Sequence, residues 1–148
     1  MMKAIARCDC GALEIHVSNS PIVQLVCHCK DCQKFSGLEF VEGAFFRKED
    51  CRITGNTKHE TLRGGTGEDK LQHFCSSCSS PVYVQIQALN GAIAISASRL
   101  SPFEFRAEVH VWASQKAEGI KIPEGMTQVP GMPPKEIVGR MINGFWNQ

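Results

Sequence analysis

Cys27-His28-Cys29-Lys30-Asp31-Cys32 is the stretch on which the fold turns, and Cys8-Asp9-Cys10 before it and Cys75-Ser76-Ser77-Cys78 after it bring the total to seven of the chain's eight cysteines. A C-x-C or C-x-x-C pair sets two sulfurs on one side of a tight turn or strand end. There they can share a tetrahedral ion at a Zn–S distance of about 2.3 Å with little loop entropy lost. Zinc takes four ligands in a structural site and three plus an open position in a catalytic one. Seven divides as four plus three.

Other uses of cysteine fit less well. A disulfide framework belongs to a small secreted chain behind an apolar leader of about 7–15 residues. Here the chain opens Met1-Met2-Lys3-Ala4 and no such run follows. A thioredoxin-like motif needs one C-x-x-C at a strand-to-helix turn of a βαβ pattern, and no sustained strand–helix alternation is present. Two closed zinc sites in a purely structural or interaction module remain the rival to one closed and one open site.

Length and composition bound the rest. The 148 residues, 43% of them hydrophobic, suit a single domain with its own core and leave no room for a second sizeable one. No apolar run approaches the roughly 18 residues of a membrane span, so a soluble protein with reduced thiols, in the cytoplasm, is expected. Sixteen Lys and Arg against fifteen Asp and Glu leave a net charge of +1, with the basic residues scattered. That balance disfavours a nucleic-acid partner.

Short apolar or alternating runs predict strands at 4–7, 12–17, 23–26, 39–47, 51–54, 71–74, 81–87, 92–97 and 103–112. Turns are expected at Gly55-Asn56, Gly64-Gly65-Thr66-Gly67 and Asn90-Gly91. The Gly64-Gly65-Thr66-Gly67 loop lacks the strand–helix frame of a phosphate cradle and reads as a hairpin tip. The fold class is therefore mainly β and antiparallel. Helix is expected over 30–36, after the C-x-C, and over 135–142. In the second, Pro134 suits a first helical position, and Ile137, Val138, Met141 and Ile142 share a face expected to be core.

Spacing leaves the ligand sets open. Cys8, Cys10, Cys75 and Cys78 could close one site and leave Cys27, Cys29 and Cys32 as a three-thiolate site. Alternatively Cys29, Cys32, Cys75 and Cys78 could pair as a ribbon and leave Cys8, Cys10 and Cys27. The ribbon needs a gap far longer than the usual 15–20 or so residues and splits the compact run, so the first scheme is favoured.

The order Cys-x-Cys-Gly (8–11), Cys-His-Cys-x-x-Cys-x-x-x-Ser-Gly (27–37), Phe-Cys-x-x-Cys (74–78) and His-Val-Trp-Ala-Ser-Gln-Lys-Ala (110–117) resembles the glutathione-dependent formaldehyde-activating enzyme family, which also contains centromere protein V. The resemblance runs from about Ala4 to Pro133. It implies a β-rich domain of the tent type with two zinc sites. Cys8, Cys10, Cys75 and Cys78 would match the structural site, and Cys27, Cys29 and Cys32 the catalytic one. It also implies carbon–sulfur lyase or synthase activity, joining a thiol such as glutathione to formaldehyde as an S-hydroxymethyl adduct.

The chain departs from the family pattern in places. Ser79 follows Cys78 where relatives often carry glycine. Glu118-Gly119 and Gln128-Val129-Pro130 stand where relatives that act on the glutathione adduct tend to show Pro-Trp and Gln-Phe-Pro. Two aromatic positions are thus missing at an expected substrate wall, and a different thiol or aldehyde partner is expected.

Three thiolates on Zn²⁺ leave a net charge near −1, which makes a weaker Lewis acid than zinc on neutral imidazoles but still helps to deprotonate a bound thiol. Addition of sulfur to a carbonyl then needs a proton donor for the alkoxide, and His28 and His73 are the candidates. Cys51 would close the second site as a fourth ligand; more simply, it is a half-buried strand residue. Lys34, Arg47, Arg63 and Arg99 could hold a peptide carboxylate, although solvated surface charge is the plainer account of each. Trp112 and Phe103 are candidates for core or pocket.

Overall fold

The computed structural model describes residues 3–64 and 67–146. In chain order it places β1 (Ala4–Arg7), β2 (Glu14–Val17), β3 (Val23–Cys27), α1 (Lys30–Ser36), β4 (Val41–Phe46), β5 (Cys51–Thr54), β6 (Thr57–Arg63), β7 (Asp69–Cys75), β8 (Pro81–Ile86), β9 (Ala92–Ser96), β10 (Leu100–Ser101), β11 (Val109–Val111) and α2 (Lys135–Trp146). The strands form a four-stranded sheet, β10-β1-β2-β5, and a seven-stranded sheet, β11-β3-β4-β9-β8-β7-β6. Among the described residues every strand pair is antiparallel except β11 with β3, where Val111 lies opposite Cys27.

Strand periodicity separates two cores. On one face of the large sheet, Ala44, Phe46, Val82, Ile93 and Ile95 meet Ala4, Ala6, Ile15 and Val17 of the small sheet. On the other, Val23, Leu25, Phe45, Ala92 and Val109 pack against Met141 and Phe145 of α2. The layers are small sheet, large sheet and helix. Burial of Met141 and Phe145 stabilises the docked helix by about 1.5–3 kcal/mol each.

The helix is also pinned at its middle and its C-terminal end. Arg140 Nη2 donates to Glu108 Oε2 at 2.9 Å and to the Ile22 carbonyl at 2.8 Å. Asn90 Nδ2 donates to the Phe145 carbonyl at 3.1 Å, and Trp146 Nε1 to the Ala88 carbonyl at 3.2 Å. Gly144 allows the closest approach, since a Cβ there would stand 2.5 Å from Ile22 Cγ2. The helix expected over 135–142 therefore continues to Trp146, its glycine a contact rather than a stop.

Two strand expectations need correction. Of 103–112 only Val109–Val111 is strand, because Pro102 lacks a ladder donor and the stretch that follows makes only scattered bonds, such as Arg106 N–H to Gln24 Oε1. Thr57–Arg63 was not expected as a strand. Its residues are mostly exposed, as suits an outer strand with charge on its faces, so it carries no hydrophobic alternation. It forms a hairpin with β7, Thr57 opposite Cys75 and Arg63 opposite Asp69. Of the glycine tip of that hairpin, Gly65 and Thr66 lie outside the described residues, while Gly67 N–H donates to the Gly64 carbonyl at 3.0 Å. The turns at Gly55 and at Asn90-Gly91 stand as expected, Asn90 and Gly91 both at positive φ.

Candidate metal centres and the adjoining cavity

Four sulfurs meet where the two sheets close on each other. Cys8, Cys10, Cys75 and Cys78 each bring one sulfur within 4.8 Å of the others. Two matching turns present them. Cys8 N–H donates to the Leu13 carbonyl at 3.1 Å, and Cys75 N–H donates to the Ser80 carbonyl at 3.0 Å. Asp9 N–H reaches Ser80 Oγ at 3.1 Å and ties one turn to the other. A tetrahedral thiolate site with 2.3 Å bonds has sulfur–sulfur edges of about 3.8 Å. The Cys8–Cys10 and Cys10–Cys75 separations are 3.6 and 3.8 Å, so the set fits such an ion.

Acidities in this cluster are already split. The Ser80 hydroxyl, then its amide, hold Cys78 at about 5. At Cys10 the Ala12 amide favours the thiolate, but the Cys8 and Cys78 sulfurs outweigh it and push the thiol up to about 11. Arg99, expected as solvated charge, is instead a clamp beside this cluster, 19% exposed. It donates to the Pro81 carbonyl at 2.8 Å and to Asp9 Oδ1 at 2.9 Å.

Three more sulfurs gather on the opposite face of the large sheet. Cys27 ends β3, Cys29 caps α1 and Cys32 lies in its first turn, all three mutually within 4.8 Å. Cys27 and Cys29 sulfurs are 3.3 Å apart, and Cys32 N–H donates to the Cys29 sulfur at 3.3 Å. Three sulfurs this close together could hold one metal ion. Gln33 Nε2 fastens the loop by donating to the His28 carbonyl at 2.7 Å and to the Gln115 carbonyl at 2.9 Å. Gly37, at φ +72°, ends the helix with its N–H on the Gln33 carbonyl.

Ionisation is shared here too. The contact with Cys27, then that with Cys32, holds Cys29 at about 2. The same contact pushes Cys27 up to about 12, and the Cys27 and Cys29 sulfurs push Cys32 up as well. One sulfur of the three is anionic before the others.

A cavity of about 360 Å³ opens beside these sulfurs, between the large sheet and both helices. Cys27, Cys29 and Cys32 line it together with Lys70, Gln72 and a largely apolar remainder. Lys70 Nζ pairs with Asp31 Oδ2 at 2.9 Å. Burial disfavours its charge, but Asp31 and the nearby Cys29 and Cys32 outweigh this and raise its pKa, so Lys70 stays cationic. It was missed in the sequence. The signal was the period-2 order Lys70, Gln72, Phe74, which puts all three on the face opposite Cys75.

The two histidines expected as proton donors stand elsewhere. His28 follows Cys27, so alternation turns it to the other face of β3, where its Nε2 is 2.9 Å from His110 Nδ1 and its ring lies against Phe40. There it lines a separate cavity of about 370 Å³. His73 stacks on Tyr83 at 4.4 Å and its Nδ1 meets Thr57 Oγ1 at 2.9 Å, on the same side of β7 as Cys75. Burial lowers the pKa of both.

Cys51 pairs with Val17 in the small sheet, packed on the first core, and joins neither sulfur cluster. Burial pushes its thiol up to about 12. Lys34, Arg47 and Arg63 do not line the cavity; Arg47 pairs with Asp50 at 3.1 Å and Arg63 with Asp69 at 3.8 Å. Phe103 packs against the first core, whereas Trp112 lines the cavity from a left-handed backbone, φ +56°. That conformation is costly for a bulky residue. The helix face expected to be core does both jobs: Ile137 packs on the second core while Val138, Met141 and Ile142 line the cavity.

A β-rich fold with two cysteine groups that could each hold a metal ion defines the class of protein. The family model for glutathione-dependent formaldehyde-activating enzyme matches residues 3–115, and the chain belongs to this family. Its fold is similar to the crystal structure of a Rhodobacter sphaeroides protein from a structural-genomics programme, with a TM-score of 0.52 and 24% identity over 70% of this chain and 91% of that one. No curated protein matches the chain. Among the described residues, no helix is long and apolar enough to cross a membrane.

Proposed function

We propose that the chain is a single zinc-binding domain that makes or breaks a carbon–sulfur bond between a small thiol and an aldehyde. The observation that carries this reading is the unequal placement of the two cysteine groups. Four sulfurs sit together between turns of the fold, while three sit on the wall of a cavity large enough for a small molecule. Cys8, Cys10, Cys75 and Cys78 would hold a structural zinc, and Cys27, Cys29 and Cys32 a catalytic one with a fourth position for substrate. Bound there, zinc would keep a substrate thiol as its thiolate near neutral pH.

The chain's own residues supply the rest. In the forward direction the substrate sulfur attacks the carbonyl carbon, the C–S bond forms, and the π pair moves onto oxygen. Lys70, kept charged by Asp31, is the cation facing that developing charge. The proton that the substrate thiol gave up is returned to the alkoxide, which forms the S-hydroxyalkyl adduct, and cleavage reverses each step. Apolar walls exclude water and strengthen the field of Lys70. Reduced thiols in both groups suit the cytoplasm.

The test is adduct formation from glutathione and formaldehyde, followed by NMR with zinc-loaded protein, for wild type and Cys32→Ser. Wild type should catalyse, and Cys32→Ser should lose both the activity and one zinc while staying folded. One zinc per chain in a reduced, zinc-replete sample, or an undiminished rate in Cys32→Ser, refutes the proposal.

A further inference from the structure

The walls of the cavity point to the kind of reactant it accepts, an inference that rests on the thiol–aldehyde reading. Leu25, Phe45, Val84 and Ile86 form its sheet side, and Met141 and Ile142 of α2 its helix side. Lys70 is the one cationic side chain among the described residues that line it, and that charge serves the developing alkoxide. Gln72 leans on Asp31, its Nε2 3.5 Å from the Asp31 carbonyl. A glutathione molecule brings two carboxylates and an ammonium. Each needs a partner if it is buried, and among the described residues no arginine lines the cavity to supply one. The helix side comes from beyond residue 115, where the match to the family model ends.

We propose that the cavity takes an uncharged apolar group, a straight-chain or aromatic substituent carried by the thiol or by the aldehyde, and that the peptide part of any glutathione reactant stays outside it. Its volume of about 360 Å³ lies at the small end of the range for ligand sites, which suits a chain of several carbons. Each buried methylene should then tighten binding about fourfold, until the cavity is full.

Straight-chain alcohols from butanol to octanol are non-reactive probes of this group, titrated calorimetrically into the zinc-loaded protein. Affinity should rise about fourfold per methylene, with a negative heat-capacity change. Ile142→Glu, at a half-exposed wall position that tolerates a carboxylate, should flatten that slope while thermal unfolding stays near wild type. No rise with chain length, or an unchanged slope in Ile142→Glu, overturns the proposal.

Two kinetic series identify the source of the group. Glutathione with aldehydes of increasing length tests the aldehyde, and alkyl thiols with formaldehyde test the thiol. Rates that rise with length in either series support the proposal and name the carrier. Rates highest for glutathione with formaldehyde, and falling with length in both series, overturn it. Length-dependent alcohol binding with no turnover in any series would refute the carbon–sulfur reading and keep the apolar site.

Discussion

Removing both sulfurs of the first knuckle, Cys8→Ser with Cys10→Ser, should cost far more stability than removing Cys29 and Cys32. The reason is chain entropy. A metal held by Cys10 and Cys75 closes a loop of 65 residues. By the cross-link relation such a loop withdraws about 4 kcal/mol of freedom from the unfolded chain. Cys27 to Cys32 closes a loop of about five residues, for which the same relation gives about 2 kcal/mol. Cys8 adds a second loss, since it is 5% exposed and its sulfur accepts from Leu13 N–H at 3.2 Å, and exchanging it for a shorter, more polar hydroxyl in that buried place costs about 1–3 kcal/mol. The first double variant should therefore lose about 5–7 kcal/mol, a large share of the 5–15 or so kcal/mol that holds a domain folded.

Urea unfolding of zinc-loaded, reduced protein, followed by circular dichroism, measures both losses, and metal analysis counts the zinc. Chelation should cost wild type about 4 kcal/mol or more, and the Cys8→Ser/Cys10→Ser protein only the smaller share that belongs to its remaining site. At 2–4 °C per kcal/mol, a 4 kcal/mol loss is a fall of about 8–16 °C in Tm. If Cys29→Ser/Cys32→Ser proves the more destabilised of the two, the division into structural and catalytic groups is wrong.

Much of the site was legible because cysteine clustering survives any error in the secondary-structure reading. The run from Cys27 to Cys32 stays together whether Val23–Cys27 is a strand of four residues or five. Which sulfurs meet across 65 residues was not fixed by spacing. That depends on the end of β1, in the small sheet, meeting the turn between β7 and β8 of the large one, which local pattern does not encode. The cavity was legible only in part. Val138, Met141 and Ile142 showed one apolar face in the sequence, but that face serves as core and wall alike, and composition does not separate the two. Lys70 was hidden for another reason: its role rests on Asp31, 39 positions earlier, reaching across from α1. His28 drew notice through its place between two cysteines, yet strand alternation sends neighbours to opposite faces.

The remaining predictions concern single positions. Lys70→Met should lower kcat/KM by about a hundredfold with stability changed by less than about 1 kcal/mol, and a loss in KM alone would show that the charge binds substrate rather than the developing alkoxide. Gly144→Ala should cost about 1–3 kcal/mol in urea unfolding, because its Cβ would press on Ile22 Cγ2, and a neutral result would mean α2 is not seated as described. Arg140→Gln should lose about 1 kcal/mol, a figure kept small because both side chains of its pair are partly exposed. Arg140 holds the Glu108 carboxyl below its ordinary 4.5, so this contribution is present above pH 4.5 and fades as pH falls through the lower folded value. The gap between wild type and variant should therefore shrink below pH 4.5, and a gap that widened there would contradict the pairing. Ser79→Gly, finally, restores the residue that relatives often carry. Ser79 sits at φ +62°, where a side chain costs about 1–2 kcal/mol and glycine none, although glycine gives back about 0.5–1 kcal/mol in unfolded-chain entropy. It also forfeits the exposed bond from Lys58 Nζ to Ser79 Oγ, which contributes little. The net should be a gain of up to about 1 kcal/mol with zinc content unchanged, and a loss of stability in urea unfolding would show that the Lys58 bond outweighs the strain.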